Sequence, residues 1–265
     1  MSFDMTRFPE LNTATKYPSI ETYHVLGERG ALTEELGPFA GVGEYEKVYV
    51  TEKVDGTNGR IVLLPGGDYF IGSREELLYA KGDRVKTPNL SIVPALFDLA
   101  ERLSKQHTVD CIEVLYLEVY GGKIGGQAKQ YSRQNTVGYR LFDHAFIGTA
   151  ILYRSREDIS RWRDNGGQSW QEVEQLQSFG AEFGVPVVPY LDTWLGTILP
   201  LDVDDTYEAL QETIGESTQV HLDTEDGTGG RAEGLVLRTA DRSRIAKARF
   251  QDYERTLKRR QQQKK

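Results

Sequence analysis

Five stretches of the chain alternate polar and apolar residues with a period of two. Lys47–Val50, Arg60–Leu64, Ile112–Tyr120, Val137–Phe142 and Gly234–Arg238 are rich in Val, Ile, Leu, Tyr and Phe, the pattern of strands that bury one face. Helical signals fall irregularly between them. Ser91 is placed to cap a helix whose Ile92, Leu96, Leu99 and Leu103 share a face, with Pro94 in its first turn. Ser169 and Glu172 form a capping-box pattern ahead of Val173, Leu176 and Phe183, and Gly184 and Pro186 follow as stop signals. Asp205–Ile214 is a weaker helix, and Phe250, Tyr253 and Leu257 suggest a short amphipathic one at the end. Strands and helices do not alternate as βαβ units, so the pattern predicts an α+β fold of largely antiparallel sheets flanked by helices. No repeat of 20–50 residues is present, which excludes solenoids and propellers.

Composition narrows the chemistry. Cys111 is the only cysteine among 265 residues, which rules out an internal disulfide framework and a cysteine-rich zinc site. The four histidines are scattered; His24 and His144 lie near motifs but read as structural, and Cys111 reads as packing. No apolar run reaches the ~18 residues of a membrane span, and the start MSFDMTRFPE lacks the pattern of a signal peptide. The expectation is a soluble, cytoplasmic protein without a membrane partner. Net charge is −8, yet its distribution is uneven. Residues 242–265 hold ten Lys/Arg against Asp252 and Glu254, a net +8 that leaves −16 on the first 241 residues. Ten acids against Arg231 alone lie between Leu201 and Glu233; they read as a solvated loop and helix face. An acidic total argues against a whole-surface nucleic-acid coat but leaves room for a local basic strip.

The sharpest local feature is Thr51-Glu52-Lys53-Val54-Asp55-Gly56-Thr57-Asn58, between two strand-like runs. Asp-Gly there fits an ordinary hairpin turn. The alternative is a nucleophilic Lys53 at a strand end, since a lysine attacks only as the neutral amine. Four later segments bear on the choice. In Leu115-Tyr116-Leu117-Glu118-Val119-Tyr120-Gly121-Gly122, alternation leaves Glu118 opposite Leu115, Leu117 and Val119. Tyr139-Arg140-Leu141-Phe142-Asp143 offers a ring that could stack on a base. Ala232-Glu233-Gly234 opens another strand with an acid, and Lys247 and Arg249 stand at i and i+2 on one face.

In this order and spacing the set resembles the covalent nucleotidyltransferases, a superfamily of ATP-dependent ligases and capping enzymes, and within it most the RNA ligase 2 family. Lys53-Val54-Asp55-Gly56 resembles the nucleophile motif KxDG, with Thr57-Asn58 as its RNA-ligase form. Ser73-Arg74, Glu118, Phe142-Asp143, Glu233-Gly234 and Lys247-Ala248-Arg249 match the later motifs, and Lys16-Tyr17-Pro18-Ser19-Ile20-Glu21 the leader. The resemblance implies a nucleotidyltransferase fold, the ATP-grasp-like ligase adenylation domain, over residues 1–250, with 251–265 a short basic helix or tail. It implies an ATP-dependent RNA ligase that joins a 5′-phosphate to a 3′-hydroxyl through lysyl-AMP and AMP-capped RNA, with Mg²⁺, or Mn²⁺ in its place. By family position Lys53 is the nucleophile, Glu233 a catalytic and metal-binding acid, and Lys247 and Arg249 hold the α-phosphate. Glu118 takes a ribose hydroxyl and shares the metal, Phe142 stacks the adenine, and Glu52 with the adjoining backbone reads the base edge. Asn58 and Arg74 lie nearer the 5′-phosphate or the leaving diphosphate, and Asp55 organises the loop.

Two departures qualify this. Arg249 stands where lysine is more usual, which keeps charge but changes phosphate geometry. The sixteen residues after it can form neither an oligonucleotide-binding barrel nor a helical module, so substrate grip is expected from elsewhere, an RNA-repair partner protein or the basic tail tracking the RNA backbone. A GTP-dependent capping-type transferase, a DNA nick ligase and a non-catalytic domain that binds nucleotides or RNA ends stay open as alternatives.

Overall fold

A computed structural model describes residues 3–82, 91–125, 128–132, 134–196, 199, 202–215, 217–222 and 230–263. Among them the strands in chain order are β1 (Glu21–Thr22), β2 (His24–Leu26), β3 (Leu32–Leu36), β4 (Lys47–Lys53), β5 (Thr57–Leu63), β6 (Tyr69–Ser73), β7 (Leu77–Ala80), β8 (Ile112–Gly121), β9 (Val137–Ile147), β10 (Ser169–Trp170), β11 (Tyr190–Leu195), β12 (Gly234–Thr239) and β13 (Ile245–Arg249). The helices are α1 (Phe8–Ala14), α2 (Ile92–Ser104), α3 (Arg156–Asp164), α4 (Val173–Phe183), α5 (Val203–Ile214) and α6 (Phe250–Gln263). All five expected strands are present, and strand pairs are antiparallel except β1 with β13. The chain divides into two compact units.

The first unit comprises Met1–Ser19, Gly56–Ala128 and Gln134–Val187. Its six-stranded sheet runs β10-β9-β8-β5-β6-β7. β8 is covered on both faces. Leu115, Leu117 and Val119 join Ile92, Leu96, Leu99 and Leu103 of α2 in one core, while Tyr116 on the other face packs against Tyr17 and Trp170, ring centres 4.9 and 5.5 Å away. Gly59 permits the close seating of α2, because a Cβ there would lie 2.9 Å from Leu96 Cδ1. Ser91 occupies the N-cap position but adopts φ 60° and makes no capping bond; the apolar face, not the cap, holds this helix. The second capping box is one turn later than the sequence suggests. Ser169 lies in β10, and Glu172 is the N-cap, its N–H donating to Gln175 Oε1 at 3.1 Å. Gly184 ends that helix in the left-handed conformation, as a C-terminal glycine does.

Glu113 is the polar group most deeply tied into this unit. His107 Nδ1 lies 2.7 Å from one carboxylate oxygen and His144 Nε2 2.8 Å from the other, with His144 Nδ1 2.8 Å from Gln171 Oε1. His144 is thus structural.

The second unit comprises Ile20–Asp55, Lys129–Arg133 and Val188–Lys265. Its main sheet runs β1-β13-β12-β4-β11, with β2 and β3 a separate pair. Val48, Val50, Leu235, Leu237, Ala246 and Ala248 face a core completed by α5 and by Phe250 and Tyr253 of α6. α5 starts two residues earlier than expected, capped by Asp202 Oδ1, which accepts from Asp205 N–H at 2.7 Å. The basic end is not a free tail over its described length. Tyr253 is buried, its Oη 2.9 Å from His24 Nδ1, and Thr256 Oγ1 accepts from Leu32 N–H at 2.9 Å. Arg255 bonds the Gly30 carbonyl and Asp252, Arg259 the Arg29 carbonyl, and Arg260 both Asp204 and Glu34. Over the described length these three arginines dock the helix to the body of the unit. Lys264, Lys265 and part of the acidic run (201, 216, 223–229) lie outside the described residues. Among the described residues no helix is long and apolar enough to cross a membrane.

Burial opposes ionisation of Glu113, but the hydrogen bonds from His144 and His107 outweigh it and hold the carboxyl below its ordinary value of 4.5. A depressed carboxyl stabilises the fold above its unfolded value and loses that contribution as pH falls through the folded one. Thermal melts from pH 7 down to about pH 3 are therefore expected to fall less steeply below 4.5 for Glu113→Gln than for the wild type, from a lower starting Tm.

Candidate active site

The second unit gathers the expected cations by register alone. Gly234 of β12 pairs with Lys53 of β4 on one side and with Arg249 of β13 on the other. Two residues along, Val236 pairs with Thr51 and Lys247. Directly paired residues, and residues two apart, share a face. Lys53, Lys247 and Arg249 therefore project from one side of the sheet, opposite the core.

Glu233 stands just before β12, where its carboxylate meets two of them. Lys53 Nζ lies 2.6 Å from Oε2, and Arg249 Nη1 lies 4.0 Å from Oε1. The Lys53 and Glu233 side chains are 24% and 19% exposed, so the pair is sheltered yet reachable. Gly234 makes this possible: it has φ 156°, and a Cβ there would run into the Ala248 carbonyl and lie 2.8 Å from Arg249 Cα. The Glu-Gly dipeptide is a carboxylate set beside a close backbone contact between β12 and β13. The loop after Lys53 is fixed by Tyr131, whose Oη accepts from Asp55 N–H at 2.6 Å. Asp55-Gly56 is not a hairpin turn, because β4 and β5 belong to different sheets. Gly56 is required instead by packing, since a Cβ would lie 3.0 Å from Tyr120 Cβ.

Glu52 departs from its expected role of reading a base edge. Adjacent strand residues point to opposite faces, so Glu52 turns away from Lys53 and is 1% exposed. Its carboxylate accepts from the Thr218 hydroxyl and from Gln219 N–H at 2.8 Å.

The first unit holds the remaining candidates. Asn58 of β5, Glu118 of β8 and Arg140 of β9 form one row across the sheet. Asn58 Oδ1 is buried with no hydrogen-bond partner. One step along, the β8–β9 register skips: Tyr116 pairs with Asp143 and Leu117 with Leu141. Phe142 is the extra residue of this β-bulge, a device that re-aims side chains. Its ring is half-buried, edge-on to Tyr17 at 5.0 Å and 6.5 Å from Tyr116. Arg74 follows β6, its Nη2 donating to Ser19 Oγ at 2.8 Å. The leader is thereby explained: Lys16 pairs with Glu75 at 3.0 Å, and Tyr17 Oη donates to Asp143 at 2.9 Å. Lys16, Tyr17, Ser19, Arg74 and Arg163 help line a cavity of about 510 Å³. Arg60, fully buried, donates to the Arg74 carbonyl at 3.2 Å and to Asn12, and burial lowers its pKa to about 10, so it remains a cation.

Tyr131, Arg60 and Arg163 were not anticipated from sequence. Each acts from outside any motif, through contacts made by distant segments. No group of three or more His, Cys, Asp or Glu able to hold a metal occurs among the described residues. Single carboxylates such as Glu233 and Glu118 suit Mg²⁺, which keeps several waters and binds through one or two carboxylates and substrate phosphates.

The RNA ligase family model matches residues 46–257, and the chain belongs to this family. No curated protein sequence matches it. Among solved structures it is similar to Naegleria gruberi RNA ligase with PPi, at 16% identity and TM-score 0.53, covering 82% of this chain and 53% of that one. It is similar to an archaeal ATP-dependent RNA ligase at 16% identity and TM-score 0.54, covering 90% of this chain and 49% of that one. A point mutant of the Naegleria gruberi RNA ligase with ATP and Mn matches at 18% identity and TM-score 0.54, covering 79% and 51%. The chain thus spans about half the length of these ligases and shares their fold, a nucleotidyltransferase-type α+β architecture.

Replacing Gly234 with Ala forces β12 and β13 apart at the row carrying Lys53 and Arg249. The expected result is a loss of stability of about 1–3 kcal/mol, measured by urea unfolding. An unchanged midpoint would refute the close-contact reading.

Proposed function

We propose that this chain is an ATP-dependent RNA ligase, in which residues 1–250 and the docked helix α6 carry nucleotidyl transfer. The observation that supports this best is Lys53 at the end of β4, ion-paired to Glu233 at 2.6 Å on the face that presents Lys247 and Arg249. In this reading Lys53 Nζ, as the neutral amine, attacks the α-phosphorus of ATP. A P–N bond forms as the P–O bond to pyrophosphate breaks, giving lysyl-AMP. The AMP then passes to an RNA 5′-phosphate, and a 3′-hydroxyl displaces it to make the phosphodiester.

Charge accumulates on phosphate oxygens in each step, so fixed cations give most of the stabilisation. Lys247 and Arg249 are assigned to the α-phosphate, Glu118 to a ribose hydroxyl and Phe142 to the adenine face. Asn58 and Arg74 are assigned to the 5′-phosphate or diphosphate, and Asp55 to the loop. Glu233 and Glu118 would hold Mg²⁺ or Mn²⁺, which neutralises phosphate charge; the Naegleria ligase with ATP and Mn supports that choice. RNA ends are the proposed partners, with an RNA-repair protein that contributes substrate grip as a further one. The cytoplasm is the proposed compartment, with ATP at hand.

Incubation with α-labelled ATP and Mg²⁺ or Mn²⁺ is expected to leave acid-labile label on the wild type and none on Lys53→Ala. Label from GTP alone would point to a capping-type transferase, sealing of DNA over RNA to a nick ligase, and no label from either nucleotide to a binding domain.

Phe142→Ala is expected to raise the KM for ATP in that assay by roughly 5–100-fold, the loss of one base–aromatic stack, with little change in Tm because the ring is half-exposed. An unchanged KM would remove Phe142 from the adenine.

A further inference from the structure

The distinctive residue of the phosphate face is Arg249, and the structure shows what steadies it. β13 ends at Arg249 and α6 begins at Phe250 with no loop between. The first turn of α6 fastens the site twice. Phe250 N–H donates to the Glu233 carbonyl at 3.1 Å, and Asp252, three residues after Arg249, accepts from Arg249 Nε at 2.7 Å. Asp252 is 1% exposed, and its other oxygen accepts from Arg255 Nη2 at 2.7 Å. A buried carboxylate with both oxygens bonded to cations is a stiff support, because moving either partner leaves a buried charge uncompensated.

The consequence lies in guanidinium geometry. A lysine offers a point charge that reaches an anion from many directions, whereas arginine offers a planar fork whose direction matters. With Nε held by Asp252, rotation of the guanidinium plane is restricted. Its Nη1 edge is directed toward the side where Glu233 lies at 4.0 Å, and the side chain stays 30% exposed. We infer that Asp252 is a positioning residue for nucleotidyl transfer, fixing the fork of Arg249 toward the α-phosphate and adapting this site to arginine in place of lysine. The inference rests on the assignment of Arg249 to the α-phosphate.

The test is a double-mutant cycle in the labelling assay, with Tm measured for every variant. Asp252→Asn is expected to slow formation of the labelled protein by between about tenfold and a hundredfold, the scale of a misplaced catalytic group. Arg249→Lys removes the fork. In that background the added Asp252→Asn should change the rate by less than about threefold. Arg255→Ala loosens Asp252 but keeps the bond to Arg249 Nε, and should slow labelling less than Asp252→Asn does. Equal slowing by Asp252→Asn in the wild-type and Arg249→Lys backgrounds would show a merely structural role and overturn the inference, as would no slowing at all. Should Asp252→Asn fail to fold, Asp252→Glu keeps the charge and shifts the oxygens by one methylene, and its dependence on the residue at 249 is read the same way. A wild type that takes no label defeats the proposed function itself; a wild type that labels while the cycle shows no coupling defeats only the role of Asp252.

Discussion

The backbone ladder of β12 is the constraint on which the cationic face of the second unit depends. It lies between β4 and β13, and its register alone decides that Lys53, Lys247 and Arg249 emerge on one side while Leu235, Leu237, Ala246 and Ala248 enter the core. A slip of one residue would reverse every side chain. Gly234 pins that register, since only a residue without Cβ tolerates the Ala248 carbonyl at this distance. The Lys53–Glu233 pair follows from it: the acid is the last residue before the ladder begins, opposite the last residue of β4. The ion pair is thus a product of strand geometry before it is a matter of charge.

Much of this was legible in the amino-acid order. Alternation located five strands, of which β4 buries one face and β8 both, and residues at i and i+2, such as Lys247 and Arg249, could be placed together without any structure. The long helices announced themselves by apolar faces. What failed was local chemistry read without its context. Ser91 looked like a cap but takes a left-handed conformation, and Ser169 was claimed by a short strand. β1, β2 and β10 have two or three residues each, too few for a period to register. Phe142 was singled out as a ring, but the bulge that aims it depends on a mismatch between two strands that neither strand reveals alone. Glu52 is the instructive miss: the alternation used to pair Lys247 with Arg249 also dictates that Glu52 and Lys53 face apart.

The uneven charge along the chain has a physical explanation in the second unit. The acidic segment and the basic end meet one another there. Arg260 bonds Asp204 of α5 and Glu34 of β3, and Arg231, the one cation of the acidic stretch, lies 2.5 Å from Glu254 of α6 and over the Phe250 ring. Some of the charges that look like binding surfaces in a linear reading are thus engaged with each other. On the open sheet face Lys53 is held by Glu233 and Arg249 by Asp252.

The separation of Lys53 from Glu233 by 180 residues also bears on how the protein is made. The amine leaves the ribosome early, on a strand that at that moment lacks its β12 neighbour. The acid, both other cations and the helix that braces them follow 180 or more residues later. Domains assemble as their segments emerge, so this unit closes only after β12, β13 and α6 have been made, and the lysine gains its surroundings long after its own synthesis.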